Sequence, residues 1–399
     1  MTLAVIETHP VQYHAPVYRA LQSLGVPVTA IYGSDFSVAG YSDRGFGTHV
    51  AWDSDLLSGY SATFVGRVAT GGPRSVEATT ARGLGRALRQ AAPTAVLLVG
   101  YSPRFYRDAF LVARRYGVPL LFRAETTDRA LTRSPLKRLL RDTLLRGMYR
   151  SCAALLYIGQ HSREHFLRLH VPEQRLFFSP YCVDTTPFVL GEAEREALRR
   201  QARAELGLPG DRLVLLFAGK LIAHKQPELL LAAVRALPRS LRERVSVVFL
   251  GDGELRAELE QRAQESSPVP IRITGFRNQR KLSPYYHAAD LLALPSKGET
   301  WGLVINEALH HGLPCVVSDA VGCAPDLIKP GVTGAVFACG DSAALAAALE
   351  DVFALAQQPE TRERCRQKVA NYTLEQAAAG LAAAYRMVTV RAPARAGAS

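Results

Sequence analysis

The sequence predicts an α/β protein with two doubly wound domains, each built on a parallel sheet covered by helices on both faces. Three observations support this class. The chain has 399 residues, more than one core ordinarily supports. Short apolar runs, typical of strands buried on both faces, alternate with helical segments whose apolar residues recur about every 3.6 residues. This alternation stops and restarts near the middle of the chain, which indicates a second domain of the same class.

Six apolar runs in the first half predict the strands of the first sheet, because their near-continuous Val, Leu, Ile and Ala residues suit buried parallel strands. They lie at 3–7, 26–32, 95–99, 119–123, 154–158 and 176–178. Helices are predicted between them at 15–24, 80–91, 104–116, 134–149 and 162–169. Residues 34–79 are rich in Gly and Ser, which predicts long loops near an opening and room for one short hairpin.

The same alternation restarts after a charged helix predicted at 192–206. Six further strands are predicted at 213–218, 245–250, 271–274, 290–294, 315–318 and 335–337. Helices are predicted at 227–237, 254–263, 302–311, 325–328 and 342–355. The segment 179–188 contains two prolines and few apolar residues, so it is the expected crossing between the domains.

These elements divide the chain into a first domain, 1–188, and a second domain, 189–371. A helix over about 372–389 is expected to pack back on the first domain. Residues 390–399 are expected to form a loose tail, because Pro, Gly, Ala and Arg dominate there. Ligands of doubly wound sheets bind beyond the carboxyl ends of the strands, so the cleft between the two domains is the expected site.

Charge and composition exclude some classes of protein. The net charge of +12 would attract nucleic acid, lipid head groups or phosphorylated substrates. A nucleic-acid binder would need a basic stripe with interleaved aromatics, which we do not find, so no nucleic-acid partner is expected. No apolar run reaches the ~18 residues of a membrane span, and no signal peptide is expected. The six cysteines form no metal or disulfide pattern, which favours a cytoplasmic protein.

The segment 295–307 is the most informative one, because a strand ends just before it and a helix starts inside it. Free backbone N–H groups at that helix start, near Gly302 and Leu303, can hold a phosphate with help from the helix dipole. Glu299 lies on the loop and Glu307 further along the helix, so the two carboxylates could reach different parts of one ligand. Taken alone, the spacing also fits an ordinary loop with a surface Glu at each end.

A second segment with the same strand–turn–helix setting runs from 217 to 227. Gly219 lets the backbone turn closely, and Lys220 and Lys225 would then stand at the mouth of the cleft. Two ammonium groups there suit a diphosphate. Two lysines on a surface loop are common, so this signal is weak by itself.

Two further turns follow strands of the second domain. Gly251 opens a Gly-Asp-Gly turn before a helix, which fits a ligand-binding turn and a plain connection equally well. Phe276 and Arg277 follow the next strand, at a place where a nucleobase could rest against backbone groups.

Together these segments resemble the family-4 glycosyltransferases, whose pattern runs over residues ~210–340 almost without a gap. The matching pieces are the Gly-Lys…Lys-x-Pro loop at 219–227, the Phe-Leu-Gly-Asp-Gly turn at 249–253, Thr-Gly-Phe at 274–276, the strand and Pro-Ser at 288–296, the Glu-x7-Glu motif at 299–307, its continuation to 319, and 321–326. The first ~180 residues match weakly. The opening loop, 8–14, lacks the glycine pair of many members, and Tyr181-Cys182 replaces Asn-Gly in the crossing segment.

The resemblance implies the GT-B architecture, in which two Rossmann-like domains face a central cleft, with the donor site in the second domain. Glu307 would accept hydrogen bonds from ribose hydroxyls, and Glu299 would lie beside the donor sugar ring. The diphosphate would be bound by Lys220, Lys225 and the N–H groups near Gly302 and Leu303. Gly219, Gly251, Phe276 and Arg277 would complete the donor site.

On the acceptor side, many members carry a histidine after the fourth strand of the first domain. This chain has Glu125 there and Arg123 two residues earlier, and either side chain could take the place of the histidine. His9 and His14 bracket the first strand-to-helix loop, which points at the cleft in this architecture. They could contact the acceptor or the donor phosphate, or simply be half-buried in a turn.

The resemblance thus implies a retaining glycosyltransferase that moves a sugar from a nucleotide diphosphate sugar to a hydroxyl-bearing acceptor, without a cofactor or a metal. A sugar-nucleotide epimerase of the same architecture and a silent nucleotide-sugar-binding partner protein are the alternatives. Asp53-Ser-Asp55 matches the metal-binding DxD motif of another glycosyltransferase class, but a polar loop is the better interpretation. His161 and His165 have helical metal spacing but no third ligand.

The helix predicted from Ser134 to Arg150 combines five cationic residues with five apolar ones. It could lie on an anionic membrane, which would place the protein peripherally at the inner membrane face and would suit a lipid-linked acceptor. Alternatively, it is a surface helix whose apolar face is buried in the core.

Overall fold

The computed structural model describes residues 1–43, 45–128, 134–188, 191–265 and 269–390. The predicted tail beyond 390 lies outside the described residues. Within them the chain folds into two α/β domains, and both main sheets are parallel throughout. The fold class expected from the alternating pattern is therefore confirmed.

The first domain is built on a seven-stranded sheet in the order β5-β2-β1-β6-β7-β8-β9, with β3 and β4 forming a separate antiparallel hairpin. Its strands are β1 (Leu3–Glu7), β2 (Val28–Tyr32), β3 (Tyr41–Asp43), β4 (Thr48–Val50), β5 (Ser61–Phe64), β6 (Ala95–Leu98), β7 (Leu120–Arg123), β8 (Ala154–Tyr157) and β9 (Leu176–Phe178). Its helices are α1 (Ala15–Ser23), α2 (Phe36–Ala39), α3 (Leu84–Ala91), α4 (Arg104–Tyr116), α5 (Pro135–Arg150) and α6 (Gln160–Arg168).

The second domain is built on a six-stranded sheet in the order β12-β11-β10-β13-β14-β15. Its strands are β10 (Leu213–Ala218), β11 (Val245–Leu250), β12 (Ile271–Ile273), β13 (Leu291–Leu294), β14 (Cys315–Ser318) and β15 (Gly334–Phe337). Its helices are α7 (Glu192–Glu205), α8 (Pro227–Ala236), α9 (Arg239–Arg242), α10 (Arg256–Glu265), α11 (Ser283–Ala288), α12 (Leu303–His310), α13 (Ala324–Leu327), α14 (Ser342–Ala356) and α15 (Thr361–Val369).

The chain returns to the first domain through α16 (Leu374–Val390). Its small apolar face, which includes Ala377 and Leu381, is buried in the same core as β1 and β6. Ser179 Oγ donates to the carbonyl oxygen of Ala377 at 2.9 Å. A methyl group added at Gly380 would collide with the carbonyl oxygen of Phe178, so the helix lies close against the end of β9.

Strand β5 was not expected in the loop-rich segment 34–79. It pairs with β2 in parallel and forms one edge of the sheet. Its residues alternate between exposed and half-buried, so it lacks the continuous apolar run that marks the inner strands. The hairpin expected in the same segment is present as β3–β4.

Helix α5 contradicts one of its two sequence interpretations. Four leucines that could have faced the core are exposed instead: Leu136 by 76%, Leu139 by 64%, Leu140 by 63% and Leu144 by 67%. The side of α5 that packs inward carries Asp142, Leu145 and Tyr149. Among the described helices, none is both long and apolar enough to cross a membrane.

The two domains contact each other directly across the cleft. The Asp326 carboxylate accepts hydrogen bonds from the backbone N–H of Gln160, at 3.0 and 3.1 Å, and from the Tyr372 hydroxyl at 2.9 Å. Gly159 leaves room for the Trp301 ring, which a side chain at this position would strike. These contacts bring the carboxyl ends of both sheets to a common cleft.

Candidate active site

A first cavity of about 100 Å³ lies at the carboxyl ends of β10 and β11, where residues of both domains meet. The second domain contributes the ends of these strands, the segment after β12, and α11 and α12. The first domain contributes the loop after β1 and the β3–β4 hairpin region. The lining of this cavity includes Gln12, Tyr13, Phe46, Trp52, Gly219, Gly251, Phe276, Arg277, Gln279, Tyr286, Val304 and Glu307.

Two glycines form the floor of the first cavity. Gly219 and Gly251 follow neighbouring strands and have φ angles of +147° and +156°. A Cβ at Gly251 would collide with the carbonyl oxygen of Gly219. These positions therefore require glycine, because only glycine allows the two backbones to approach this closely in that conformation.

Glu307 lies on α12 at the back of the first cavity and is only 2% exposed. Its carboxylate accepts a hydrogen bond from Gln279 Nε2 at 3.0 Å and another from the Tyr286 hydroxyl. Burial raises the pKa of Glu307, although the hydrogen bonds from Tyr286 and Gln279 act in the opposite direction. The group is thus a fixed acceptor, as expected for a partner of ligand hydroxyls.

A second cavity, of about 670 Å³, lies on the first-domain side of the cleft. Its lining includes His9, Tyr13, His14, Tyr101, Glu125, Tyr181, Thr300 and Leu303. Tyr13 lines both cavities. Leu303 lines the second and its neighbour Val304 the first, so the two cavities meet at the first turn of α12.

The start of α12 has the geometry expected for an anion site. Its N-cap residue is Gly302, with φ +102°, and no side chain caps the helix there. The loop before it is held in place because Glu299 N–H donates to the carbonyl oxygen of Ala320 at 3.1 Å, and Gly322 N–H donates to that of Glu299 at 3.0 Å. The first N–H groups of α12 thus lie uncapped where the two cavities join.

The two lysines that were predicted to bind a diphosphate each form an ion pair with a carboxylate. Lys225 pairs with Glu299 on the loop before α12. Lys220 Nζ donates to both oxygens of Asp43 at 2.8 and 3.0 Å, and lies 4.9 Å from the centroid of the Phe46 ring. Asp43 belongs to the first domain, so the Lys220 pair crosses the cleft. Of the four residues on which the sequence interpretation rests, only Glu307 lines either cavity.

The predicted acceptor-side histidines both line the second cavity. His14 Nδ1 lies 2.5 Å from Oε1 of the buried Glu7, which also accepts from the Tyr18 hydroxyl at 2.8 Å. His9 packs on Phe36, and burial lowers its pKa to about 4, so it is neutral at physiological pH. A neutral imidazole can both donate and accept a hydrogen bond to a ligand hydroxyl.

Glu125 and Arg123 differ in where they point. Glu125 is exposed at the wall of the second cavity and accepts from the Thr300 hydroxyl of the second domain. Arg123 is buried, and its guanidinium donates to the carbonyl oxygens of Ser179 at 3.2 Å and Pro180 at 2.8 Å. It also packs on the Tyr181 ring at 4.8 Å. The structure therefore assigns Arg123 to the crossing segment, and Glu125 remains the candidate that faces the cleft.

Several lining residues were missed by the sequence interpretation. Tyr13 and Gln12 lie in the loop bracketed by His9 and His14, so the position of that loop was the available signal. Phe46 and Trp52 come from the region interpreted as long loops, where nothing in the pattern marks them. Gln279 and Tyr286 follow the Phe276–Arg277 turn, and Arg277 itself donates from Nε to the Tyr285 hydroxyl at 2.8 Å.

Comparison with known proteins agrees with this arrangement. The family described as "Glycosyl transferase 4-like domain" matches residues 10–182, and "Glycosyl transferases group 1" matches residues 199–372. The chain is 30% identical to the α-D-kanosaminyltransferase of Streptomyces kanamyceticus over 292 residues, which are 70% of this chain and 73% of that protein.

Other relatives match over a shorter length. The D-inositol 3-phosphate glycosyltransferase 1 of Catenulispora acidiphila is 36% identical over 208 residues, so the match spans about half of each chain (49%). Among solved structures, a sucrose-phosphate synthase from Thermosynechococcus elongatus has a TM-score of 0.72 at 18% identity, covering 98% of this chain and all of that one. This likeness shows the fold. With one matched region in each domain and a relative similar across both, the chain belongs to the family-4 glycosyltransferases and has the GT-B fold.

Proposed function

We propose that the protein is a retaining glycosyltransferase that moves a sugar from a nucleotide diphosphate sugar to an acceptor hydroxyl without a metal. The observation that carries this proposal is the meeting of two cavities at the first turn of α12. One cavity holds a buried hydroxyl-binding carboxylate, and the other holds neutral hydrogen-bonding groups and Glu125. Transfer between two substrates requires such a junction.

In this proposal the donor's base would lie against Phe276 and its ribose would bind Glu307, both of which line the first cavity. Its diphosphate then reaches the uncapped N–H groups at Gly302 and Leu303. Lys220 lies beside Phe46 of the first cavity and Lys225 pairs with Glu299 on the loop before α12, so each could exchange its present carboxylate partner for a phosphate. A charge-assisted contact of this kind to a phosphate is among the stronger hydrogen bonds in proteins.

The chemistry follows from where charge develops. Breaking the anomeric C–O bond gives the sugar oxocarbenium character and leaves negative charge on the diphosphate. The N–H groups of α12 and the two lysines stabilise that charge, and one such donor is worth roughly 3 kcal/mol in comparable sites. The acceptor oxygen attacks on the face that the leaving group vacates, which retains the anomeric configuration. Glu125 lies on the acceptor side, where it can accept the proton of the acceptor hydroxyl or stabilise the positive charge of the sugar.

The donor half of the proposal is tested by thermal unfolding with UDP-, GDP-, ADP- and dTDP-sugars. A ligand at a hundred times its Kd should stabilise the protein by about 2.7 kcal/mol. We expect one nucleotide to raise the melting temperature well above the others. No shift with any of them would contradict a nucleotide-sugar site.

The transfer half is tested by the products. A glycosyltransferase releases nucleotide only when an acceptor is present and gives a product with the donor's anomeric configuration, which NMR reads directly. Acceptor-independent conversion of the sugar nucleotide would favour the epimerase alternative. A covalent glycosyl-enzyme trapped on Glu125 or Glu299 would contradict front-face attack.

We also propose that α5 binds an anionic membrane surface. Its four exposed leucines are accompanied by exposed Lys137, Arg138 and Arg150 on the same helix. Apolar residues flanked by cations are the composition of helices that lie in the interface of an anionic bilayer. Peripheral attachment there would bring the second cavity close to a lipid-linked acceptor.

The membrane contact is tested by co-sedimentation with vesicles. The wild-type protein should bind vesicles that contain phosphatidylglycerol and be released by salt. The double variant Leu139→Asp, Leu144→Asp should lose binding and keep its turnover of a water-soluble acceptor. Val336→Asp, at an exposed valine of the second domain, is the matched control and should bind normally. Equal binding of all three proteins would contradict this role of α5.

A further inference from the structure

Two aromatic side chains of the first domain lie over the end of the first cavity where the nucleobase is expected. Phe46 and Trp52 both line this cavity. Their ring centroids are 4.8 and 6.3 Å from that of Phe276 in the second domain, at interplanar angles of 60° and 65°. Three aromatic rings from two domains thus pack edge to face along the wall of one small cavity.

The segment that carries these rings is held on the second domain by polar contacts. Asn278 Nδ2 donates to the carbonyl oxygen of Ala51 at 2.6 Å, and Arg280 N–H lies 3.5 Å from Asp53 Oδ1. Before Phe46, Asp43 Oδ1 accepts hydrogen bonds from the backbone N–H groups of Gly45 and Phe46 at 2.8 and 3.0 Å. Trp52 is therefore positioned by contacts with the second domain and Phe46 by this turn.

A nucleobase has an apolar face that every aromatic ring can contact, and such contacts contribute strongly to nucleotide binding. Ala218, Gly219 and Gly251 offer mainly backbone on the second-domain side of the cavity. The aromatic surface comes from Phe276 and from the first domain. The rings are half-buried, so each keeps part of its surface open to the cavity, where a planar base can contact it.

We propose that Phe46 and Trp52 contact the nucleobase of the donor, so that the first domain takes part in donor recognition. This inference rests on the proposed function, because it assumes that a nucleotide occupies the first cavity. Its consequence is that a bound base contacts both domains. The nucleotide would then be bound more tightly by the whole molecule than by the second domain alone.

Tryptophan fluorescence provides the test, because Trp52 and Trp301 are the only two tryptophans of the chain. Titration of the wild-type protein with the nucleoside diphosphate selected by thermal unfolding should change the emission. The change should disappear in Trp52→Phe, in which the other tryptophan, Trp301, is buried at 3% exposure. Pyrophosphate alone, which has no base, should leave the wild-type emission unchanged.

Affinity gives a second measurement. Phe46→Ala and Trp52→Ala should each weaken nucleoside diphosphate binding at least about fivefold and leave pyrophosphate binding unchanged. Phe46→Tyr and Trp52→Phe keep a ring and should retain most of the affinity. Val38→Ala, an exposed residue of the preceding helix, is the matched control.

The outcomes separate this inference from the proposed function. If the wild-type protein binds nucleotide but neither the emission of Trp52 nor the affinity of the alanine variants changes, the inference is overturned and the proposed function stands. If no nucleotide binds the wild-type protein, both are overturned. Should an alanine variant fail to fold, the change in the emission of the wild-type protein on nucleotide binding still shows whether the base contacts Trp52.

Discussion

Single residues of the first cavity show how much of the candidate site could be predicted from the sequence. Gly219, Gly251 and Glu307 stand where their motifs predict, because each is bound to the end of a strand or the start of a helix whose position the apolar pattern determines. Phe46 and Trp52 could not be predicted, since an aromatic residue in an irregular segment carries no periodic signal. Arg123 was one of two candidates for the place of the family's histidine, yet its long side chain turns back to the crossing segment.

Glu307→Gln is expected to raise the KM for the donor by about tenfold or more, because a hydrogen bond to a charged acceptor is worth about 1.5–3 kcal/mol. Burial raises the pKa of Glu307. Wild-type donor affinity should therefore fall as the pH drops through this raised pKa, while the affinity of the Gln variant stays flat. Initial rates at varied donor concentration and pH measure both effects. A KM equal to that of the wild type would exclude Glu307 from donor binding.

Asp128 forms a second centre of charge, away from the cavities. It accepts hydrogen bonds from His165 at 2.9 Å and from Arg168 at 2.7 and 2.8 Å. Burial acts to raise the pKa of Asp128, but the hydrogen bonds from His165 and Arg168 outweigh it and hold this pKa well below its usual range. His165 therefore serves the packing of α6, which is an alternative to metal binding for the predicted helical pair.

Asp128→Asn is expected to lower the free energy of unfolding at neutral pH by about 1–3 kcal/mol. A carboxyl group with a depressed folded pKa stabilises above its unfolded pKa of about 3.9, and this contribution is lost as the pH falls toward the folded value. The difference between the two proteins should thus shrink in acid. Denaturant unfolding at several pH values measures it, and a difference independent of pH would contradict the ionic origin.

At the scale of elements, the inner strands were predicted to within a residue or two, because strands buried on both faces need continuous apolar runs. β5 was missed because it lies at the edge of the sheet, where exposed residues interrupt the apolar run. For α5 the sequence left two interpretations open, since amphipathic periodicity shows that leucines share a face but not what covers that face. Only the exposure of Leu136 and Leu144 in the structure excludes the interpretation that this face is buried in the core.

α16 provides a prediction at this scale. Gly380→Val should destabilise the protein by about 1–3 kcal/mol, because the added side chain must push the helix off the carbonyl oxygen of Phe178. Ala379→Val introduces the same side chain on the exposed side of the helix and should cost well under half as much. Denaturant unfolding of the pair tests the docking of α16. Equal losses would show that β-branching in the helix, rather than the contact, is responsible.

At the scale of the whole molecule, the relation of the two domains depends on a few contacts. Trp301 fits against Gly159, and Asp326 receives the N–H of Gln160 beside it. Neither contact could be predicted, because each joins residues of different domains that no local pattern relates. The facing of the two sheets was predictable only through the resemblance to the GT-B family.

Gly159→Val should therefore lower kcat/KM for transfer by at least about tenfold, since a misplacement of about 1 Å between reacting groups can cost a hundredfold. The new side chain would meet the Trp301 ring and hold the cleft open. Small-angle scattering should show a larger radius of gyration at an unchanged circular dichroism spectrum. Gly147→Ala, at a glycine with open space around it, is the control. Full activity of Gly159→Val would contradict a requirement for this contact.

The path of the backbone has a practical consequence for engineering. The chain leaves the first domain after β9, forms the second domain from α7 to α15, and returns to the first domain at α16, so the second domain is connected at two points only. Such a module can be exchanged for that of a relative by joining only two positions. Chimeras made at 179–188 and just before α16 would join the second domain of one protein to the first domain of another, and their substrate preferences would show what each domain determines.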